Sequence, residues 1–203
     1  MSGTQERIAA PKISILMATW NCSSLLATFF RSLEEQSPGD WELLILDNCS
    51  SDGLPQLVRQ YQAAHSDHLI RFSSQTDAGI YDAWNRGIKL AGGTYLCFIG
   101  ADDTFVSSES LQQLLDLTSS SAELITCRNS YYSSSDGRFL RDWGSAWNWR
   151  RMRESMNIAH PGMLVRHDLF DRYGLFDPRF KICGDYEWFL RLPANLRAVH
   201  TSD

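Results

Sequence analysis

Two runs of consecutive apolar, β-forming residues, at 13 to 18 and 41 to 46, predict short buried strands. Between them Leu25, Phe29 and Leu33 recur every four residues, with Leu26 and Phe30 beside them, which is one face of an amphipathic helix. Ser37-Pro38-Gly39 ends that helix. A weaker helical pattern covers 54 to 64, and a short strand follows at 69 to 72. Ile80, Trp84, Ile88 and Ala91 form the apolar stripe of a further helix, with Asp77 as its N-cap and Gly92-Gly93 as its stop. Residues 94 to 99 read as a buried strand. Leu111, Leu114 and Leu115 mark a helix opened by Ser107 and Ser108, and 124 to 127 reads as another strand. Past 128 the rhythm changes. Tyr131-Tyr132 and Arg138-Phe139-Leu140 flank a Ser-Ser-Ser-Asp-Gly turn and predict a hairpin. A Trp- and Arg-rich segment occupies 141 to 153, and a last helix starts near Gly184 and ends before Pro193.

Strands alternating with helices imply an α/β domain with a mostly parallel sheet and right-handed crossovers. The near-continuous apolar strands agree, because parallel strands are covered on both faces.

Composition narrows the class. The 203 residues suffice for one large domain or two small ones and can bury a substantial core, and 43% hydrophobic with 21% charged is ordinary for a soluble protein. A net charge of −5 argues against nucleic acid as a partner. No apolar run is long enough to span a bilayer, and Met1 to Arg7 lacks the pattern of a signal peptide. Five scattered cysteines without a Cys-x-x-Cys pair read as reduced thiols in the cytoplasm, with Cys97 in the core. His65 and His68 lack a further ligand cluster and read as solvent-facing.

Open α/β sheets bind ligands at the carboxyl ends of their strands. After the predicted strands come Thr19-Trp20-Asn21, then Asp47-Asn48 with Cys49 to Gly53, then the stretch ending at Asp77, then Gly100-Ala101-Asp102-Asp103. Adjacent carboxylates such as Asp102 and Asp103 repel each other, and a hard divalent cation, Mg²⁺ or Mn²⁺, relieves that repulsion. A helix cap or turn accounts for them equally well. Asp47 fits either an Asx-turn or a contact to a base or ribose, and Trp20 fits either stacking on a base or the core. Dinucleotide and phosphate-loop glycine motifs are absent, as are His-Glu-x-x-His and the nucleophile elbow. A nucleotidyltransferase loop rich in Gly, Arg and Lys is also missing after the first strand, and the acidic pair comes too late for a receiver domain.

The segments 13 to 21 and 41 to 53, then Asp77-Ala-Gly-Ile-Tyr-Asp-Ala-Trp-Asn-Arg-Gly-Ile88, then 92 to 103, His160-Pro161-Gly162-Met163, Gly174-Leu175-Phe176-Asp177 and 184 to 191 together resemble the family 2 inverting glycosyltransferases, in order and spacing. The 77 to 88 stretch looks most like bacterial members that assemble surface polysaccharides. The resemblance implies a single GT-A domain: a three-layer α/β/α nucleotide-diphospho-sugar transferase fold with a mostly parallel central sheet. It assigns 12 to 127 to nucleotide-sugar binding and 128 to 203 to the acceptor, the latter shorter than is usual. It implies nucleotide-sugar contacts at Thr19, Trp20, Asn21, Asp47, Asn48, Asp77, Asn85, Gly87 and Asp102. Asp103 would be the metal ligand, Asp185 the catalytic base, and His160 and Glu187 acceptor-side residues. Trp20 stands where the family usually has tyrosine, Asn48 where a second acid is common, and the Gln-x-x-Arg-Trp motif of processive members is missing.

The activity so implied is inverting, metal-dependent transfer from a nucleoside-diphosphate sugar, uridine being the default, to a hydroxyl of a glycan or lipid-linked acceptor. Asp185 also suits a helix N-cap. The 141 to 153 segment, with Trp143, Trp147 and Trp149 beside Arg150, Arg151 and Arg153, suits a substrate-side loop or a peripheral contact with the inner face of a membrane. A non-catalytic module that binds nucleotide sugar or glycan is the alternative to an enzyme.

Overall fold

The computed structural model describes residues 10–37 and 39–202; Pro38 and the N-terminal stretch read above as lacking a signal peptide lie outside them. Strands β1 (Ile13–Thr19), β2 (Trp41–Asp47) and β3 (Leu69–Ser74) alternate with helices α1 (Ser23–Glu34), α2 (Leu54–Ala64) and α3 (Ile80–Leu90), followed by β4 (Tyr95–Ile99), α4 (Ser110–Leu117) and β5 (Leu124–Thr126). The hairpin is β6 (Asn129–Tyr132) and β7 (Phe139–Trp143), and the short helix α5 (Trp149–Met152) follows. The chain closes with β8 (Leu164–Arg166), α6 (Asp168–Tyr173), α7 (Gly184–Leu190) and β9 (Ala198–His200).

The main sheet has the order β3-β2-β1-β4-β8-β5-β9, and β6-β7 form a separate two-stranded ribbon. β1 pairs in parallel with β2 and β4, and β2 with β3. β8 runs antiparallel between β4 and β5. Alternation along the strands builds two cores. Ile13, Ile15, Met17, Tyr95, Cys97 and Ile99 face α1, α2 and α4, whereas Leu16, Leu46, Leu96 and Phe98 face α3, α6 and α7. This is the mostly parallel three-layer α/β/α arrangement expected from the alternating pattern.

Three sequence expectations need correction. The buried face of α3 is Tyr81, Ala83, Trp84, Gly87 and Ile88, while Ile80 is exposed, so the stripe is turned by one residue. Asp77 does not cap α3; Gly79 occupies that position, and Asp77 Oδ1 accepts the Gly79 N–H at 3.0 Å. His65 and His68 are half-buried: His65 packs tilted against Tyr61 with ring centroids 4.2 Å apart, and His68 stacks on Trp41 at 5.0 Å.

Candidate active site

The carboxyl ends of β1, β2 and β3 are tied by one buried carboxylate. Asp47 is fully buried, and its Oδ1 accepts from Ser50 Oγ at 2.5 Å and Thr19 Oγ1 at 3.3 Å. Its Oδ2 accepts from Ser74 Oγ at 2.6 Å and the Ser50 N–H at 3.0 Å. A charge this deep needs several donors, and these four leave no oxygen facing solvent. Thr19 and Asp47 therefore brace the rim from beneath. Asn21, in the left-handed region at φ 47°, accepts the Ser51 N–H with Oδ1 and locks the first loop to the second. Asn48 Oδ1 accepts the Asp77 N–H at 3.0 Å and locks the second loop to the third. Trp20 stands out of this lattice with 67% of its surface exposed, which rules out the core reading. Asp77 is half-buried, and its carboxyl is raised by burial, against the opposing pull of the Gly79 N–H and Arg86.

Two further residues expected at the nucleotide take part in packing between α3 and its neighbours. The Asn85 amide donates to the Phe176 carbonyl at 2.8 Å and accepts the Phe176 N–H at 3.0 Å, which fastens it to the loop after α6. Gly87 faces the sheet: a Cβ there would stand 2.3 Å from Leu16 Cδ2 and 2.4 Å from Leu46 Cδ1, so glycine lets α3 lie directly on β1 and β2. Glu187, expected on the acceptor side, is held by an ion pair. Its carboxylate pairs with the Arg191 guanidinium, which donates onward to the Leu175 and Tyr173 carbonyls.

Asp102 and Asp103 occupy the turn after β4, and α4 begins only at Ser110, so neither caps it. Asp103 Oδ2 accepts the Gly100 N–H at 2.7 Å. A Cβ on Gly100 would stand 2.8 Å from Asp102 Oδ1 and 3.1 Å from Asp103 Oδ2, so the two carboxylates converge over a position that only glycine leaves open. The Asp103 carboxyl is raised by burial and, secondarily, by the charge of Asp102. Two hard oxygen donors suit Mg²⁺ or Mn²⁺ but do not fill a coordination shell. No group of three His, Cys, Asp or Glu side chains gathers among the described residues, so water or phosphate oxygens would complete the shell. Beside the pair lies a cavity of about 320 Å³, walled by Phe105, Val106, Tyr131 and Tyr132 and reaching Pro161 and Gly162. A second cavity of about 400 Å³ lies at the opposite, amino end of β4 around Thr94, away from these carboxylates.

Asp185 reaches the same rim from α7. The Gly162 N–H donates to the Phe98 carbonyl at 2.9 Å, which holds the His160-Pro161-Gly162 segment at the carboxyl end of β4. His160 Nδ1 lies 3.4 Å from Asp185 Oδ2, and the Tyr81 hydroxyl donates to Asp185 Oδ1 at 2.9 Å. Asp185 sits in the first turn of α7 behind the N-cap Cys183, so it is not a cap. Burial alone would raise its carboxyl, but the bond and charge of His160, the Tyr81 hydroxyl and the Tyr186 N–H outweigh burial and hold it at about 2. Tyr81, one position away from the stripe read in the sequence, was missed; a tyrosine on a buried helix face needs a hydroxyl partner, and that was the available signal.

The family model "Glycosyl transferase family 2" matches residues 14–174. A PGL/p-HBAD biosynthesis glycosyltransferase of Mycobacterium bovis is 30% identical over 189 residues, covering 93% of this chain and 72% of the relative. The uncharacterized glycosyltransferase EpsJ of Bacillus subtilis is 31% identical over 207 residues, covering 95% of this chain and 57% of its own length. Among solved structures, Staphylococcus aureus TarS 1-349 in complex with UDP-GlcNAc superimposes with a TM-score of 0.75 at 20% identity, over 95% of this chain and 56% of TarS 1-349. The mannosyltransferase PcManGT of Pyrobaculum calidifontis, in complex with GDP-Man and Mn²⁺, gives 0.73 at 18% identity, over 97% and 56%. The chain thus spans a little over half of these two solved structures. With the family model covering most of its length and the GT-A architecture in its sheet, the chain belongs to the family 2 glycosyltransferases.

Proposed function

We propose that this domain transfers a sugar, with inversion, from a nucleoside-diphosphate sugar to a hydroxyl of a glycan or lipid-linked acceptor, in a metal-dependent reaction. A uridine diphosphate sugar is the first donor to test. The observation that carries this reading is the gathering of the converging Asp102–Asp103 pair, Asp77 and the low-pKa Asp185 at one carboxyl rim. Trp20 would stack on the base, with Asp77, Asn21 and Asn48 lining the nucleoside side. Asp103, with Asp102 beside it, would hold the cation and the diphosphate; when bound, that cation neutralises charge on the departing diphosphate. Asp185, ionised at any working pH, accepts the proton of the acceptor hydroxyl as its oxygen bonds to the anomeric carbon and the bond to the diphosphate breaks. Its low basicity suits proton transfer late in bond formation, when the attacking hydroxyl has become strongly acidic.

The cavity beside Asp102 and Asp103, with its Phe105, Tyr131 and Tyr132 walls, is the proposed acceptor side. The ribbon next to it exposes Tyr132, Phe139, Leu140 and Trp143 beside Arg138 and Arg141, which supports peripheral contact with the cytoplasmic face of a membrane. Trp147 packs against the second core instead. No helix among the described residues is long and apolar enough to cross a bilayer.

The test is a panel of nucleotide sugars with and without Mn²⁺, with the anomeric configuration of the product read by NMR. Product of inverted configuration is expected, and a retained configuration rejects the mechanism. Tight donor binding without transfer or hydrolysis would leave a binding module in place of an enzyme. Vesicle flotation with Phe139 and Trp143 replaced by serine tests the membrane contact separately.

A further inference from the structure

The imidazole of His160 is 95% buried. Four aromatic rings enclose it, with centroids at 5.0 Å (Phe98), 5.1 Å (Trp84), 5.5 Å (Phe189) and 6.1 Å (Phe176). Its Nε2 has no hydrogen-bond partner among the described residues. An unpaired polar atom in such a cage is unfavourable, and a phenylalanine would fill the space without it. The other ring nitrogen supplies the reason for a histidine. Nδ1 faces Asp185 Oδ2 at 3.4 Å, while Tyr81 donates to Oδ1 of the same carboxylate.

We infer that His160 and Tyr81 are positioning residues: they grip the two oxygens of Asp185 from opposite sides and hold its carboxylate in the orientation that meets the acceptor hydroxyl. This rests on Asp185 being the general base. Neither clamp residue reaches the reacting atoms in this role. Nε2 is sealed from solvent, so His160 is not itself the base. Tyr81 stays protonated, its hydroxyl pushed up to about 12 by burial and by the charge of Asp185. The proton that Asp185 accepts passes to solvent at its exposed edge, since 18% of the side chain remains open. The titratable side chains facing Asp185 are Tyr81 on α3 and His160 ahead of β8. A carboxylate carried by one helix turn rotates about its terminal torsion unless both oxygens are engaged. Displacement of about 1 Å at a reacting group is enough to cost roughly 100-fold in rate.

Two substitutions separate positioning from packing. His160→Phe keeps the ring and removes the donor; His160→Asn places an amide nitrogen near Nδ1 and removes the ring. Positioning predicts that H160F melts no lower than wild type, binds nucleoside diphosphate as wild type, and loses turnover by roughly tenfold or more. Its turnover should also gain an acid limb at a pH where wild type is flat. H160N should melt lower yet recover most of the turnover lost in H160F. Packing alone predicts the reverse order, and that result overturns the inference, as does wild-type turnover in H160F. If the wild-type chain turns over no donor, the enzymatic reading fails, and ¹³C NMR of the Asp185 carboxyl then tests the clamp by itself. An upward shift of its titration in H160F and in Tyr81→Phe supports the clamp; an unchanged titration rejects it.

Discussion

The ring of Tyr81 lies against the Cα of Gly184, so closely that a Cβ there would stand 2.8 Å from Cε2 and 2.9 Å from Cζ. This contact lets the first turn of α7 approach α3 until the Tyr81 hydroxyl reaches Asp185. Gly184→Ala forces the ring away, since the obstructing atoms belong to a rigid aromatic group. Overpacking of this kind costs about 1–3 kcal/mol. Urea unfolding should show that loss, and turnover should fall with it. A Gly184→Ala protein with wild-type stability and turnover would show that the contact relaxes without consequence.

Asp185 makes stability depend on pH in a defined direction. Its carboxyl lies at about 2 in the fold against an ordinary 3.8. A depressed carboxylate contributes stability that is present above the unfolded value and is lost as pH falls through the folded one. A shift of this size corresponds to roughly 2 kcal/mol. The stability difference between wild type and Asp185→Asn should therefore be widest above pH 5 and should narrow steadily toward pH 2. Denaturant midpoints at several pH values measure it, and a constant gap would mean that Asp185 is not held by charged donors. Turnover in Asp185→Asn should fall about 10²- to 10⁴-fold with donor binding intact.

The Asp102–Asp103 turn predicts a coupled response to metal and nucleotide. Two carboxylates make an incomplete shell, so Mn²⁺ alone should stabilise the chain little, and Mn²⁺ with UDP should stabilise it well beyond UDP alone. Asp103→Asn should remove that extra shift, and EDTA should do the same to wild type. Thermal shifts in the four combinations of metal and nucleotide decide the matter. Equal shifts with and without Mn²⁺ would exclude a metal role for the pair.

Trp20 offers an exposed aromatic face held above a hydrogen-bonded floor of Thr19, Asn21, Asp47 and Ser50. Trp20→Ala removes little buried area, so the melting point should stay within the range of a surface substitution. Loss of stacking on a base should weaken UDP binding by about 1 kcal/mol, roughly fivefold. Calorimetry on UDP reads this directly, and an unchanged affinity would move the base-binding site away from Trp20.

The parts of this fold set by local pattern were legible in the chain. β1, β2 and β4 are continuous apolar runs because both faces are covered, and α1 and α3 carry a strong stripe. β8 and β9 went unread: each is three residues long and takes its strand character from the neighbours it pairs with. The rim was legible as a place, since acidic and polar groups follow each strand. Residue roles within it were less so. An Asp that faces a ligand and an Asp that knots three loops share one local sequence, and the buried hydrogen bonds of Asp47 could not be read from it. The grip of Tyr81 and His160 on Asp185 joins three distant segments, so the sequence marks Tyr81 as needing a hydroxyl partner without saying which.

Asn85 offers a test that separates a ligand contact from a support. Both halves of its amide are engaged by the Phe176 backbone, so it fastens α3 to the loop after α6. Phe176 in turn packs against Tyr81, Trp84 and His160, with ring centroids at 5.6, 5.8 and 6.1 Å. Asn85→Ala deletes two hydrogen bonds and strands a partly buried N–H and C=O, which costs about 2–4 kcal/mol in total. If the amide serves only the Phe176 backbone, affinity for UDP should match wild type in the folded protein. Turnover should fall moderately, since a loosened Phe176 slackens the cage around His160. Urea unfolding, UDP calorimetry and turnover on one preparation give the three values together. A large loss of UDP affinity with unchanged stability would return Asn85 to the nucleotide site and undo this assignment.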